Sequence, residues 1–237
     1  MRALYLKDLK SEIHKNIVTI SGEKANHLRK VVRIKVGEKI LLLNGNGFSA
    51  EGLVESYNKK EIQVKILESK HKETKGPFFD LAFCTPKKNA CDEIFKIATE
   101  LGVGEIHPIH SEYSSRYPLN FERVGKVLES ALIQSNNPYF PKVNDVLNFN
   151  DLGKLFVRYD KVFTFSSTAD IKVSRSQIKG FKKGLVVIGP EGGFSPEEEV
   201  FLENEKKTTV IHLPTPILRA PHALSVAVGF LVGCLIE

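Results

Sequence analysis

Ile188-Gly189-Pro190-Glu191-Gly192-Gly193-Phe194-Ser195-Pro196-Glu197-Glu198-Glu199 contains a strand end, a turn and a helix start within one short stretch. Its second half is the helix start: Ser195 is an N-cap, Pro196 takes the first helical position, and Glu198 closes a capping box on Ser195. Its first half is a glycine-rich turn that leaves the run Leu185 to Gly189, which is rich in β-branched residues like a fully buried strand. Strand, tight turn and helix in succession predict an α/β layer fold, in which ligands bind at the carboxyl ends of the strands.

The loop lacks the Gly-Lys-Ser/Thr of a phosphate-gripping turn and the G-x-G-x-x-G of a dinucleotide fold. Glu191 inside it, with Glu197, Glu198 and Glu199 just beyond, would repel a phosphate, so a neutral or cationic ligand suits it better. Adenosine carrying a sulfonium meets that requirement: backbone amides and carbonyls face an adenine edge while a carboxylate favours the positive charge. A well-capped connection with no ligand is the other reading, because such turns are common. A second stretch, Leu213-Pro214-Thr215-Pro216-Ile217-Leu218-Arg219-Ala220-Pro221-His222, offers a proline-stiffened loop, apolar surface and one fixed charge. Arg219 stands at the start of a helix, where the macrodipole is positive, so it either meets an anion or points to solvent.

Outward from these loops, strands alternate with helices. Phe79 to Cys84, Glu105 to Ile109, Lys161 to Phe165 and Val210 to Leu213 read as strands; Ala90 to Leu101, Asn120 to Gln134, and stretches from Pro196 and Pro221 read as helices. The polar run Ser69 to Pro77, ending in Gly-Pro, predicts a domain boundary. Before it the texture is different: Asn16 to Ile20, Lys39 to Leu43, Phe48 to Val54 and Glu61 to Leu67 are short strand patterns, with Glu23 to Val32 the one helix candidate. Asn44-Gly45-Asn46-Gly47 is a hairpin turn, and strands so joined make a small β-barrel.

Charge divides the chain in the same way. Residues 1–75 carry 16 Lys and Arg against 9 Asp and Glu, a net of +7, whereas the remaining 18 and 19 give −1. The first third either meets a polyanion or presents a lysine-rich, solubilising surface. Cys84, Cys91 and Cys234 are too scattered for a disulfide framework or a metal knuckle, which fits a reducing cytoplasm. No signal peptide is visible, and the apolar run Ala223 to Ile236 is shorter than the roughly 20 residues that span a bilayer, so it reads as a buried helix.

Gly189 to Ser195, followed about twenty residues later by Ile217-Leu218-Arg219, closely resembles the two signature loops of the bacterial 16S ribosomal RNA (uridine-N3) methyltransferases, a family of the SPOUT superfamily. Ala98-Thr99-Glu100-Leu101-Gly102-Val103 with Ile106 and Pro108, then Gln134-Ser135 and Pro141, are similar to the same family. So is the run from His27-Leu28-Arg29 through Val36-Gly37 to Asn44-Gly45-Asn46-Gly47. The resemblance spans nearly the whole chain in order. It implies a PUA-like, RNA-binding β-barrel over residues 1–72 and an α/β SPOUT methyltransferase domain over residues 73–237. A C-terminal trefoil knot is also implied, which sequence physics alone would not predict. S-adenosyl-L-methionine is the cofactor so implied. The implied partners are small-subunit ribosomal RNA or the assembled 30S subunit and a second copy in a homodimer, with no membrane and no metal.

Carried over by motif, the cofactor is held by Phe165 and the loop after it, by Ile188, Gly189, Pro190, Glu191, Gly192 and Gly193, and by Leu213, Pro214, Ile217, Leu218 and Ala220. Arg219 is the expected stabiliser of a uracil oxyanion; Glu191 and His222 are the candidates for the base, with solvent as the alternative acceptor of the proton. Arg2, Arg29, Lys30, Arg33, Lys35 and Gln134 are expected to hold RNA. The chain departs from the family at Pro214, Pro221 and His222, and at Tyr113 and Asn137, where arginines are usual. These departures keep two alternatives open: a SPOUT methyltransferase of another ribosomal or transfer RNA nucleoside, and a non-catalytic RNA-binding relative.

Overall fold

Period-two alternation in the first third of the chain becomes a sheet, and the continuous apolar runs beyond it become a second sheet of a different kind. A computed structural model describes residues 2–73, 78–166 and 175–235. The chain divides into two compact units, Met1–Thr74 with Glu129–Phe140, and Lys75–Leu128 with Pro141–Glu237.

The first unit holds β1 (Arg2–Tyr5), α1 (Leu9–Glu12), β2 (Ile17–Ser21), α2 (Gly22–Lys30), β3 (Lys39–Leu43), β4 (Phe48–Tyr57) and β5 (Glu61–His71). Among the described residues its five strands form one barrel-like sheet in the order β1-β3-β4-β5-β2. β1 runs parallel to β3, and the other pairs are antiparallel. Alternate residues turn inward, and Val18, Ile20, Ile40, Leu42, Val54, Ile62 and Val64 meet Leu28 of α2 in the core.

The hairpin between β3 and β4 is closed by Asn44, whose Oδ1 accepts the amides of Asn46 at 2.8 Å and Phe48 at 3.0 Å. Gly45 and Gly47 stand at φ +76° and +87°. They also leave room: a Cβ on Gly45 would lie 2.4 Å from the Phe140 ring, and one on Gly47 2.2 Å from the Tyr139 hydroxyl. Leu41, Leu43 and Leu132 form a small second core with Tyr5 and Phe140, whose rings meet edge to face at 4.9 Å. A division at residues 72 and 73 does not anticipate this return of residues 129–140 to the first unit, because nothing local in that segment says which sheet it covers.

The second unit continues with β6 (Phe78–Cys84), α3 (Lys88–Glu100), β7 (Glu105–His110) and α4 (Phe121–Ser135), the last shared with the first unit. There follow β8 (Lys142–Val143), β9 (Leu147–Asn148), a 3-10 turn at Phe149–Asp151, α5 (Leu152–Phe156), β10 (Lys161–Ser166) and α6 (Arg175–Ile178). β11 (Lys183–Ile188), α7 (Pro196–Asn204), β12 (Thr208–His212) and α8 (Ala220–Leu235) complete it. Seven strands among the described residues pair in parallel, in the order β12-β10-β11-β6-β7-β8 with β9 also beside β7. Helices cover both faces, so the central strands are largely buried and mostly apolar, with Asp80, His107 and Thr164 as buried polar residues among them.

The expected helices at Ala90 and Asn120 begin within two residues of their predicted starts, and Asn120 caps α4 by accepting the Arg123 amide at 2.9 Å. β8 and β9 have two residues each, too few to show a period. α8 packs against α3 and β11 through a face that includes Leu224, Ala227, Val228 and Leu231. Its other face leaves Val226 and Val232 36% and 42% exposed. No helix among the described residues is long and apolar enough to cross a membrane.

Candidate active site

β12, β10 and β11 are neighbours in a parallel sheet, so the loops leaving their carboxyl ends converge. Between them lies a cavity of about 480 Å³, within the size range of small-molecule sites. Phe165 lines it from β10, Ile188 to Gly193 line it from the turn after β11, and Leu213, Ile217, Leu218 and Ala220 line it from the stretch between β12 and α8. Eleven of the twelve expected cofactor residues therefore share one wall system. Pro214 does not line the cavity; it is exposed at the apex of a tight turn in which the Thr215 amide donates to the Leu213 carbonyl at 2.7 Å. The expected loop after Phe165 runs through residues 167–174, outside the described residues. Arg219 is exposed and is not part of the lining; its carbonyl accepts the Ala223 amide at 2.8 Å, the first bond of α8.

Sequence reasoning missed Thr164 and Ser166 on β10, Val187 on β11 and Val210 on β12, and Glu199, Leu202 and Glu203 on α7. The last three are spaced i, i+3 and i+4, the signature of one helix face, but only the sheet decides that this face meets the cavity. Their charge matters. The ionisable side chains lining the cavity are Glu191, Glu199 and Glu203, and among the described residues neither lysine nor arginine does so. A cleft carrying one sign of charge concentrates the opposite sign, so this one favours a cation and resists phosphate.

The turn that carries Glu191 is held firmly. Gly193, at φ +80°, donates to the Pro190 carbonyl at 3.0 Å. Gly189 lies under the Phe194 ring, which a Cβ there would meet at 3.0 Å. The expected capping box forms: the Ser195 hydroxyl accepts the Glu198 amide at 3.4 Å, and the Ser195 amide donates to Glu198 Oε2 at 3.0 Å. Glu198, only 8% exposed, uses its other oxygen to accept the Glu112 amide at 2.9 Å, a contact the sequence does not foretell.

At the opposite, amino ends of the strands lies a buried polar network. Asp80 accepts from the Tyr159 hydroxyl at 2.8 Å and the Glu105 amide at 2.7 Å, and pairs with Lys183 at 3.0 Å. Burial alone would raise the Glu105 carboxyl, but the hydrogen bond and charge of Arg158 at 2.8 Å override it and hold the group at about 2. Asp80, Glu105 and His107 are close enough to ligate one metal ion, yet Lys183 and Arg158 already supply the positive charge those carboxylates need.

The six residues expected to hold RNA all fall in the first unit. Lys30, Arg33, Lys35 and Gln134 are exposed; Arg33 stands at φ +54°. Arg2 is paired with Glu38 at 3.0 Å, and Arg29 donates to the Lys59 carbonyl.

The chain matches two family models, an RNA methyltransferase domain over residues 74–232 and an RNA methyltransferase PUA domain over residues 20–67. It is 28% identical to ribosomal RNA small subunit methyltransferase E 2 of Borreliella burgdorferi, covering 91% of this chain and 90% of that protein. It is 27% identical to ribosomal RNA small subunit methyltransferase E of Bacillus subtilis, over 86% and 85% of the two chains. In fold it resembles the ribosomal RNA small subunit methyltransferase E of Neisseria gonorrhoeae bound to S-adenosyl methionine. That structure gives a TM-score of 0.76 at 23% identity, over 98% of this chain and 97% of that one.

Proposed function

The chain belongs to the RNA methyltransferase family, and from that premise we propose that it methylates N3 of a uridine in 16S ribosomal RNA of the small subunit, with S-adenosyl-L-methionine as donor. The observation that carries this reading is the carboxylate-lined cavity around the Gly189 to Gly193 turn. Its volume and charge fit the cofactor. Phe165, Leu213, Ile217 and Leu218 supply apolar walls for the adenosine, the turn offers backbone groups to the adenine edge, and Glu191, Glu199 and Glu203 favour the sulfonium. When bound there, the cofactor supplies a methyl group already activated for transfer, which leaves positioning and electrostatics to the protein.

N3 of uridine carries a proton that must leave. Arg219, exposed at the start of α8, stabilises the resulting charge on a uracil oxygen, and that anion relieves the strain of a cation at a helix amino end. Glu191 takes the proton; His222, exposed three residues beyond Arg219, is the second candidate. N3 is blocked in a Watson–Crick pair, so the base is unpaired or extruded when it reacts. Arg2, Arg29, Lys30, Arg33, Lys35 and Gln134 hold the surrounding RNA backbone.

The reading includes a SPOUT trefoil knot formed by the C-terminal segment, and a homodimer that covers the exposed Val226 and Val232 of α8. It places the enzyme in the cytoplasm, in keeping with the free, buried Cys84, Cys91 and Cys234. Burial pushes the first two thiols up to about 12, far from reactivity.

The test is to incubate the purified protein with methyl-labelled cofactor and undermethylated small subunits, then to map the label. One uridine carrying a methyl on N3 is the expected result. Label on another nucleoside or on transfer RNA overturns the substrate assignment. Calorimetric binding of the cofactor with no transfer to any RNA overturns the enzymatic one.

A further inference from the structure

The loop after β7 approaches the cavity without being part of it. A Cβ placed on Gly192, which lines the cavity, would lie 3.7 Å from the Cβ of Tyr113. Tyr113 is nevertheless 52% exposed. An aromatic ring left half in solvent usually sits on a mobile loop, but this loop is tied down at several points. The Ser111 amide donates to Ser114 Oγ at 2.9 Å, the Ser114 amide to the Ser111 carbonyl at 3.2 Å, and the Ser115 amide to the Thr85 carbonyl at 2.9 Å. The Glu112 amide is bound at 2.9 Å by Glu198, whose other oxygen closes the cap of α7. One carboxylate therefore fastens the start of α7, which follows the Gly189 to Gly193 turn, and the Tyr113 loop to each other.

A second observation concerns the same strand ends. The hydroxyl of Thr85, after β6, and Nε2 of His110, at the end of β7, are buried and have no hydrogen-bond partner among the described residues. Buried polar atoms of this kind are rare unless a ligand or water completes them.

We propose that Tyr113 is the platform on which the target base stacks beside the donor cavity, and that Glu198 is the positioning residue that holds it there. This rests on the methyltransferase reading above and names the surface that presents the acceptor. A flat nucleobase extruded from its strand needs an aromatic face to replace its lost stacking, and a pre-organised ring provides it at little entropic cost.

The experiment measures methyl transfer to undermethylated small subunits together with cofactor affinity by calorimetry, for the wild type, Tyr113→Phe, Tyr113→Ala, Glu198→Gln and the Tyr113→Ala/Glu198→Gln double variant. Tyr113→Ala is expected to lower kcat/KM for the subunit roughly 5- to 150-fold, the span of one base–aromatic stack. Its cofactor affinity should be unchanged, and Tyr113→Phe should retain nearly full activity because the ring is kept. Glu198→Gln keeps one accepting oxygen and should lose part of the activity; with cofactor saturating, so that a weakened α7 cap does not enter, the double variant should be no worse than Tyr113→Ala, since Glu198 acts on the base through Tyr113. A Tyr113→Ala enzyme as active as wild type, a Tyr113→Phe enzyme as poor as Tyr113→Ala, or fully additive losses in the double variant each overturn the proposal and leave the methyltransferase reading standing. A wild type that labels no RNA overturns both together.

Discussion

Gly193 has a left-handed backbone at φ +80° and open space where a Cβ would be. Substituting alanine therefore meets no steric neighbour and costs only the conformation, about 1–2 kcal/mol for an L-residue held there. Gly193→Ala should lower the unfolding free energy by about that amount in urea titrations and weaken cofactor binding as the turn relaxes; an unchanged dissociation constant would mean that the turn does not shape the site. Glu105 gives a prediction in pH. Its folded value of about 2 lies below its ordinary 4.5, so its ion pairs with Arg158 and Lys183 contribute fully above pH 4.5. That contribution is lost as pH falls from 4.5 through about 2. Because solvent reaches the pair, the contribution is on the order of 1–2 kcal/mol. Thermal melts of Glu105→Gln should show a deficit against wild type at pH 6 that shrinks as the pH approaches 2, whereas a deficit independent of pH would assign the loss to packing.

At the scale of elements, α7 owes its start to Ser195 and Glu198, and both were legible in the sequence because a capping box is a relation between residues three apart. Ser195→Ala removes the oxygen that accepts the Glu198 amide and should cost about 1 kcal/mol. Since α7 also presents Glu199 and Glu203 to the cavity, the variant should weaken cofactor binding along with stability; a stability loss with unaltered binding would show that the helix holds its place without the cap. The hairpin at Asn44 was legible for the same local reason. What sequence could not supply was the second duty of Gly45 and Gly47, which make room for Tyr139 and Phe140 from a segment some ninety positions along.

For the whole molecule, charge is segregated by unit, and the segregation predicts how RNA affinity depends on salt. If Arg29 and Arg33 each neutralise a phosphate, log K against log salt should flatten by about 0.7–0.9 for each contact removed. Arg29→Glu/Arg33→Glu is expected to show that flattening while leaving cofactor affinity unchanged, because all residues lining the cavity lie in the other unit. An unaltered slope would remove the barrel-like unit from the RNA footprint.

Sequence by itself determined whatever depends on neighbours within one turn or one strand: the glycine turn with its capped helix, the Asn-Gly hairpin, the buried-strand runs, the basic first third, and the two loops whose residues line the cavity. Tertiary structure alone decided which strand ends meet. Three facts depend on the order β12-β10-β11 and on helix packing between residues far apart in the chain: one cavity wall drawn from β10, β11, β12 and α7, the exclusion of Pro214 and Arg219 from that wall, and the fastening of Tyr113 beside Gly192 by Glu198. Local propensity carries no information about such long-range choices, because they are settled by which buried faces fit one another once the elements exist.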